Sequence, residues 1–298
     1  PEGLIVWERL NDIRFMNKFL ESGNEKLATG GYIVGSVETS VGRKERIKSK
    51  LPRLLFKPYY LADFMVTRVW PKLPRLRKTY FALTRGRNRV ISKMEAYGRL
   101  YSCGFQIEKS LEHEGMLFFI ARKMAIPDYN MDPTYGPLIR LNRVGKNGKM
   151  IKVYKFRTMS PYSEYLQAYI YEQCGLQEGG KLKDDPRVNT VGRFMRKYWI
   201  DELPMLYNLI NGDMKLFGVR PLSAHYMGLY PEDFQEQRKR FKPGLIPPFY
   251  VDLPKTISEI VDSERRYLES YQKNPLVTDL RYLGKAAYNI LVKMARSN

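Results

Sequence analysis

The sequence predicts a mixed α/β (α+β) fold in two parts: an α/β segment over residues 1–125 and a mostly helical domain with a small β-hairpin over residues 126–298. Three observations carry this expectation. They are a helix-turn-strand pattern near the N-terminus, a change to proline-marked irregular chain near Ile126, and a C-terminal stretch with sustained helical periodicity. Apolar residues recur at helical spacing from about Ile5 to Leu20, and Gly30-Gly31 then leads into Tyr32-Ile-Val-Gly-Ser-Val37, which reads as a buried strand after a turn. Met94 to Cys103 reads as a helix closed by Gly104-Phe105, with Gly115 to Lys123 as the returning strand of a hairpin. Pro127, Pro133 and Pro137 mark the boundary. Beyond it, Leu138 to Arg143, a turn at Gly145 to Gly148, and Met150 to Phe156 form a second hairpin. In the tail, Ile257, Ile260, Val261, Leu268 and Tyr271 share one helical face, as do Leu280, Leu283, Ala287, Ile290, Leu291 and Met294.

The chain of 298 residues is long enough for one large domain or two ordinary ones, and 44% hydrophobic residues suffice for a real core. Lys and Arg number 51 against 31 Asp and Glu, a formal net charge of +20, which points to an anionic partner: phosphate, nucleic acid or an acidic membrane face. Cys103 and Cys174 stand far apart with no CxxC or Cys/His spacing, so neither a disulfide framework nor a zinc site is supported, and a reducing compartment fits best. The longest clean apolar run, Met116-Leu-Phe-Phe-Ile-Ala121, falls far short of the about 18 residues a spanning helix needs, so no bilayer crossing is expected. The opening Pro1-Glu-Gly-Leu-Ile-Val-Trp7 lacks the order of a signal peptide, and without an initiator methionine the sequence leaves open whether residues precede Pro1. Leu51 to Trp70 is rich in large apolar and aromatic residues with basic flanks. That mixture suits a segment lying among lipid headgroups; a core helix kinked near Pro58 is the other reading, since Asp63 sits in its middle.

Three short segments concentrate the residues that could carry chemistry. Lys155-Phe-Arg-Thr-Met159 ends a predicted strand, and strand alternation sends Lys155 and Arg157 to one face, where two cations could hold a diphosphate or simply line a solvated edge. Asp201-Glu-Leu-Pro204 follows a stretch holding Arg187, Arg193, Arg196 and Lys197. A carboxylate followed by a proline is what the opening of a helix favours, so capping is one account of Asp201. The other is catalytic: one carboxylate attacks phosphorus to give an acyl phosphate while its neighbour holds magnesium on a diphosphate, adjacent side chains on a helix pointing about 100° apart. The third segment, Asn208 to Pro221, ends in Gly218-Val-Arg-Pro221, where Gly218 lets backbone approach a ligand and Arg220 offers a planar fork suited to phosphate.

Taken in order, Tyr135-Gly-Pro137, Arg143-Val-Gly-Lys146, Lys155-Phe-Arg-Thr-Met159, Asp185-Pro-Arg187, Gly192-Arg-Phe-Met-Arg196, Asp201-Glu-Leu-Pro204, Asn211-Gly-Asp-Met214, Gly218-Val-Arg-Pro221 and Lys242-Pro-Gly244 resemble the bacterial sugar transferases, the monotopic phosphoglycosyl transferases that initiate glycan assembly. The resemblance covers more than half the chain, from about Tyr135. It implies Asp201 as nucleophile, Glu202 as ligand of Mg²⁺, and Lys155, Arg157, Arg187 and Arg220 around the phosphates. It implies a two-step reaction in which Asp201 takes the phosphosugar from a UDP-sugar, releasing UMP, and polyprenyl (undecaprenyl) phosphate collects it. It also implies a peripheral or monotopic place on the cytoplasmic face of the bacterial inner membrane and a role in cell-surface polysaccharide assembly. A second, partial resemblance covers residues 1–125: Leu27-Ala-Thr-Gly-Gly-Tyr-Ile-Val34, Tyr101-Ser-Cys-Gly-Phe105 and Phe118-Phe-Ile-Ala121 are similar to the C-terminal half of a class I methyltransferase, which implies a truncated Rossmann-like α/β segment. The glycine-rich loop that would bind a methyl donor is absent, so a structural role is expected there.

Two departures from the sugar transferase pattern stand out. Ala125 to Thr134 is too polar to form the apolar re-entrant helix usual before the Gly-Pro step, and Val219 replaces a frequent proline. Membrane attachment then falls to Leu51–Trp70, to Gly244-Leu-Ile-Pro-Pro-Phe-Tyr250 or to the basic C-terminal helix. The charge and the 22 tyrosines also permit a nucleic-acid-binding protein, but no nucleic-acid motif is present and phosphate backbones would avoid the carboxylate pair, so no nucleic acid is expected. A peripheral membrane scaffold with an inactive site is the third reading. The sequence leaves open a homodimer and the identity of the sugar.

Overall fold

The computed structural model describes residues 2–73, 76–130, 135–174 and 185–293. Pro133 of the expected boundary, Asp184 before Asp185, and Met294 of the tail lie outside the described residues. The described chain forms two compact units, one of residues 2–137, 159–174 and 185–189, the other of residues 138–158 and 190–293. Helices and strands occur in both, and no described helix is long and apolar enough to cross a membrane.

The first unit is built on a four-stranded sheet of β1 (Gly3–Ile5), β2 (Tyr32–Glu38), β3 (Phe105–His113) and β4 (Met116–Lys123) in the order β1-β2-β4-β3. β1 and β2 run parallel, while β4 pairs antiparallel with both β2 and β3. Along β4 the pleat alternates: Leu117, Phe119 and Ala121 are buried, whereas Phe118 and Ile120 face outward. The helices are α1 (Met16–Lys26), α2 (Ser40–Lys50), α3 (Arg53–Phe64), α4 (Arg77–Thr84), α5 (Lys93–Ser102) and α6 (Gln167–Cys174). The helical reading of Ile5 to Leu20 is corrected: the chain forms β1, a short 3₁₀ turn at Leu10–Asp12, and a helix only from Met16. Buried Asn11 explains the turn, since its amide donates to the carbonyls of Glu38 and Arg89 while its oxygen accepts from the Glu38 N–H. Those bonds tie the chain to the end of β2 before a helix can start.

α5 carries the most concentrated charge of this unit. Ser92 caps it by accepting from the Glu95 N–H. One turn in, the Glu95 carboxylate is fully buried and meets three cations: Arg99 at 3.0 Å, Lys72 at 3.0 Å and Arg68 at 3.3 Å. The Arg99 guanidinium also lies over the rings of Tyr162, at 4.6 Å, and Tyr135, at 5.2 Å. Burial alone would raise the Glu95 pKa, but the charges of Lys72, Arg99 and Arg68 hold it well below the carboxylate range. Burial lowers Lys72 to about 8.

The second unit opens with the antiparallel hairpin β5 (Leu138–Val144) and β6 (Met150–Phe156), in the register Leu138↔Phe156 to Val144↔Met150. Its turn reverses through Asn147 and Gly148, both at positive φ. A short parallel pair, β7 (Lys215–Phe217) and β8 (Gly244–Ile246), lies among α7 (Thr190–Lys197), α8 (Met205–Ile210), α9 (Ala224–Met227), α10 (Glu232–Lys239), α11 (Phe249–Asp252), α12 (Ile257–Lys273) and α13 (Pro275–Leu291). The main core joins Phe217, Phe234, Tyr250, Tyr267 and Leu268, while a smaller cluster under the hairpin joins Ile151, Val153, Met205 and Met214.

The tail reading holds for α12, where Val261 and Leu268 are buried, except that Ile257 is exposed. For α13 the face is corrected in part: Leu283 and Ile290 pack against the main core, but Leu280, Ala287 and Leu291 are exposed, and Thr278, Ala286 and Asn289 turn inward. Asn289 sets this rotation by donating to the carbonyls of Tyr250 and Val251, closing the buried end of α11.

Candidate active site

The carboxylate pair sits in a turn that the backbone must be forced to make. Trp199 adopts a left-handed conformation, φ 54°, which costs an L-residue about 1–2 kcal/mol. Its indole is fixed perpendicular to Tyr250 at 5.7 Å and donates to the Tyr250 hydroxyl at 3.0 Å, so core packing holds the reversal. α7 therefore ends, and a 3₁₀ turn, Ile200–Glu202, begins, with the Glu202 N–H bonded to the Trp199 carbonyl. The expected helix opening at Asp201 is corrected. The following helix, α8, starts at Met205 behind Pro204, and no side chain of the Asp201 turn caps either element. Capping does not account for Asp201.

What the turn does is bury a carboxylate. Asp201 is 9% exposed, and its Oδ1 is buried with no hydrogen-bond partner among the described residues. Burial raises its pKa above the ordinary 3.8; the charge of Lys155 opposes the shift, Glu202 adds to it, and Arg196 opposes it again. Lys155, from β6, reaches Glu202 with Nζ 2.6 Å from Oε1. Arg196, from α7, donates to the Thr158 hydroxyl at 3.0 Å. Gly192 lets α7 pack directly on that chain, since a Cβ there would stand 2.1 Å from the Thr158 carbonyl oxygen. Asn208, fully buried in α8, donates to the Lys152 carbonyl and accepts from the Tyr154 N–H, so its amide pairs with the free edge of β6. The strand that carries Lys155 and the helix that follows Asp201 are thereby locked together.

Replacing Lys155 by Met is expected to remove the charge that most favours ionised Asp201. The Asp201 pKa then rises further, and the acid limb of a pH–kcat/KM profile moves to higher pH. An acid limb that stays in place would show that Lys155 does not act on Asp201.

The remaining candidates are placed differently. β6 ends at Phe156, so Arg157 follows the strand, half-buried, and strand alternation does not set its direction. Arg220 exposes its side chain while its main chain is clamped: its N–H donates to Glu264 Oε1, and its carbonyl accepts from Arg238 Nη2 at 2.6 Å. Arg238 and Glu264 themselves form a buried pair at 2.8 Å. Burial, followed by the charge of Arg220, lowers the pKa of half-buried Arg143, so two guanidinium groups lie near one another in a way an anion would relieve. Arg187 belongs to the first unit. It is buried, and its guanidinium is engaged by the Asp185 carboxylate, the Ser163 carbonyl and the Gln167 side chain.

The structure thus brings together Asp201, Glu202 and Lys155 with Arg196. Arg196, Asn208 and Arg143 add to the residues picked out in sequence. Arg196 had a signal, one helical turn before the carboxylate pair; the Arg238–Glu264 clamp spans 26 residues and had none. Flanking the turn, Phe194, Tyr198, Leu203, Leu206 and Ile210 are exposed. Among the described residues, no cluster of three His, Cys, Asp or Glu side chains forms a ready-made metal cage. A magnesium ion that keeps waters and substrate phosphates as ligands needs only one or two carboxylates, and the part-exposed Glu202 carboxylate fits that requirement.

A paired carboxylate on a strained turn, with cations acting on it, has the groups that phosphoryl transfer needs. The bacterial sugar transferase profile matches residues 116–293, well over half of the chain, and the chain belongs to that family. It is 37% identical over 143 residues, 46% of its length, to a galactosyl transferase, CpsE, of Streptococcus agalactiae. It is 36% identical over 156 residues, 50% of its length, to the undecaprenyl-phosphate galactose phosphotransferase of Salmonella typhimurium. A putative undecaprenyl-phosphate N-acetylgalactosaminyl 1-phosphate transferase of Bacillus subtilis is 44% identical over 105 residues, 35% of this chain and 51% of that protein. The first two alignments cover 31% and 32% of those relatives, so the chain spans about a third of their length.

Proposed function

We propose that the protein is a phosphoglycosyl transferase that moves a sugar 1-phosphate from a UDP-sugar to polyprenyl phosphate. The observation that carries this reading is the buried Asp201 Oδ1, which has no hydrogen-bond partner among the described residues although the charges of Lys155, Glu202 and Arg196 act on the carboxylate. A structural aspartate would use that oxygen; a nucleophile has to keep it available. In the first step the Asp201 oxygen bonds to the β-phosphorus of the donor, the bond to the nucleoside monophosphate breaks, and UMP departs. In the second, a phosphate oxygen of the lipid bonds to the same phosphorus, the acyl-phosphate bond breaks, and the Asp201 carboxylate is restored.

Glu202 would hold Mg²⁺, which supplies charge neutralisation on the diphosphate. Lys155, Arg157 and Arg220, with Arg143, are the cations we assign to the phosphates. We give Arg187 the task of ordering the Asp185–Arg187 segment, because its guanidinium is already committed. The exposed Phe194, Tyr198, Leu203 and Leu206 beside the turn suit an acceptor with a hydrocarbon tail; the place we assign is the cytoplasmic face of the inner membrane, and the role is cell-surface polysaccharide assembly. The parallel pair β1–β2 joined to an antiparallel hairpin supports reading the N-terminal segment as a methyltransferase-like half-sheet with a structural role.

The test is release of UMP from a panel of UDP-sugars with magnesium and polyprenyl phosphate. Release from one donor, dependent on both additions, is the expected result. Absence of release from every donor, with vesicles supplied, would leave an inactive membrane scaffold as the better description.

A further inference from the structure

α3 is an amphipathic helix turned inside out. None of its residues is buried, which removes the core-helix reading of Leu51–Trp70. Its outer face, with the π-helical turn Met65–Val69 that continues it, repeats apolar residues at helical spacing: Leu54, Pro58, Leu61 and Met65 form one row, and Leu55, Tyr59, Ala62 and Val66 form the next. All eight are exposed, Leu54 by 87% and Leu61 by 63%. The inner face is pinned to the unit. Asp63 takes a two-pronged bond from buried Arg43, Lys44 approaches the Tyr60 ring at 5.9 Å, and Phe56, Tyr60 and Phe64 stack along the helix. A rotation that hid the apolar rows would break the Arg43–Asp63 pair. The rim is cationic, with Arg53 and Lys57 on the helix and Lys50 in the last turn of α2, beside Lys48, which pairs with Glu45 at 3.5 Å; Asp63, already paired, is the single carboxylate between Leu51 and Leu76.

We propose that this face of α3 rests on an anionic lipid surface, with the apolar rows in the headgroup–acyl boundary and the basic rim on lipid phosphates. The rim chooses the occupant: a second copy docked through the same patch would set Arg53 and Lys57 against their own counterparts, whereas an anionic bilayer neutralises them. The inference deepens the transferase reading, on which it rests for its purpose of holding the enzyme beside a lipid acceptor.

The experiment is cosedimentation of the full chain with vesicles of phosphatidylcholine, alone or mixed with phosphatidylglycerol. The wild type is expected to partition to the mixed vesicles, less so in high salt. Leu54→Glu with Leu61→Glu is expected to lower the partition coefficient on the order of tenfold or more, with the melting profile unchanged. Arg53→Glu with Lys57→Glu is expected to lower binding to the mixed vesicles alone. Wild-type partition by the leucine double variant overturns the proposal. So does a wild-type dimer that the same substitutions split into monomers, since the face would then belong to a second copy. Partition is read without donor or acceptor, so a failure of UMP release leaves it standing, and unchanged partition beside intact release sinks it alone.

Discussion

Asp201→Asn is expected to lower release of UMP on the order of 10⁴-fold or more, as removal of a covalent nucleophile does, while the protein remains folded and at least as stable as the wild type at neutral pH. The two halves of this expectation come from one cause. The Asp201 carboxyl is pushed above its ordinary 3.8, mainly by burial, so the folded state binds that proton more tightly than the unfolded chain does. Stability therefore falls as pH rises from about 3.8 through the folded pKa, and the whole penalty is present above that pKa. Asparagine keeps the shape and cannot ionise, so the variant escapes the penalty. Thermal melts of both proteins across pH 3 to 8 should diverge upward in favour of the variant. A variant that melts lower at pH 7 would mean that the ionised carboxylate serves the fold, which would undercut its assignment as a nucleophile.

The second large effect is expected far from this chemistry. Glu95→Ala leaves Lys72, Arg68 and Arg99 gathered around a buried position with no carboxylate, and should cost about 3–5 kcal/mol, the range for breaking a buried ion pair from one side. Denaturant unfolding at pH 7 reads the loss. Because the folded pKa of Glu95 is depressed, its contribution is fully present above the ordinary 4.5 and is lost as pH falls through the folded value. The gap between wild type and variant should therefore close in acid. A loss below about 1 kcal/mol would place the network in the class of surface pairs.

Much of the scaffold was legible because its signals are local. Both hairpins, β2 and α5 follow from periodicity and from glycine at the turns, with the β6 boundaries as expected. The misread pieces are those in which a distant partner decides. Asn11 folds Leu10–Asp12 away from a helix through bonds to residues 27 and 78 positions on, and Asn289 rotates α13 through the end of α11. Apolar residues on both faces of α13 made its sequence ambiguous, and a side-chain amide resolved it.

The site divides along the same line. Lys155 and the Asp201–Glu202 pair stood out as charges in short segments, but their meeting depends on Trp199 adopting a left-handed turn and on Asn208 gripping the edge of β6. Arg187 looked like the other cations in sequence and differs only through Asp185, Ser163 and Gln167, which absorb its guanidinium.

The most direct test of the central claim is to look for the phosphosugar on the protein. The enzyme would be incubated with magnesium and the UDP-sugar that supports release, with polyprenyl phosphate omitted, then quenched and digested for mass spectrometry. The account predicts a stoichiometric phosphosugar adduct on the peptide containing Asp201, absent from Asp201→Asn and discharged when polyprenyl phosphate is added. UMP release that requires the lipid from the outset, with no adduct on any peptide, would contradict it and point to direct transfer between the two substrates.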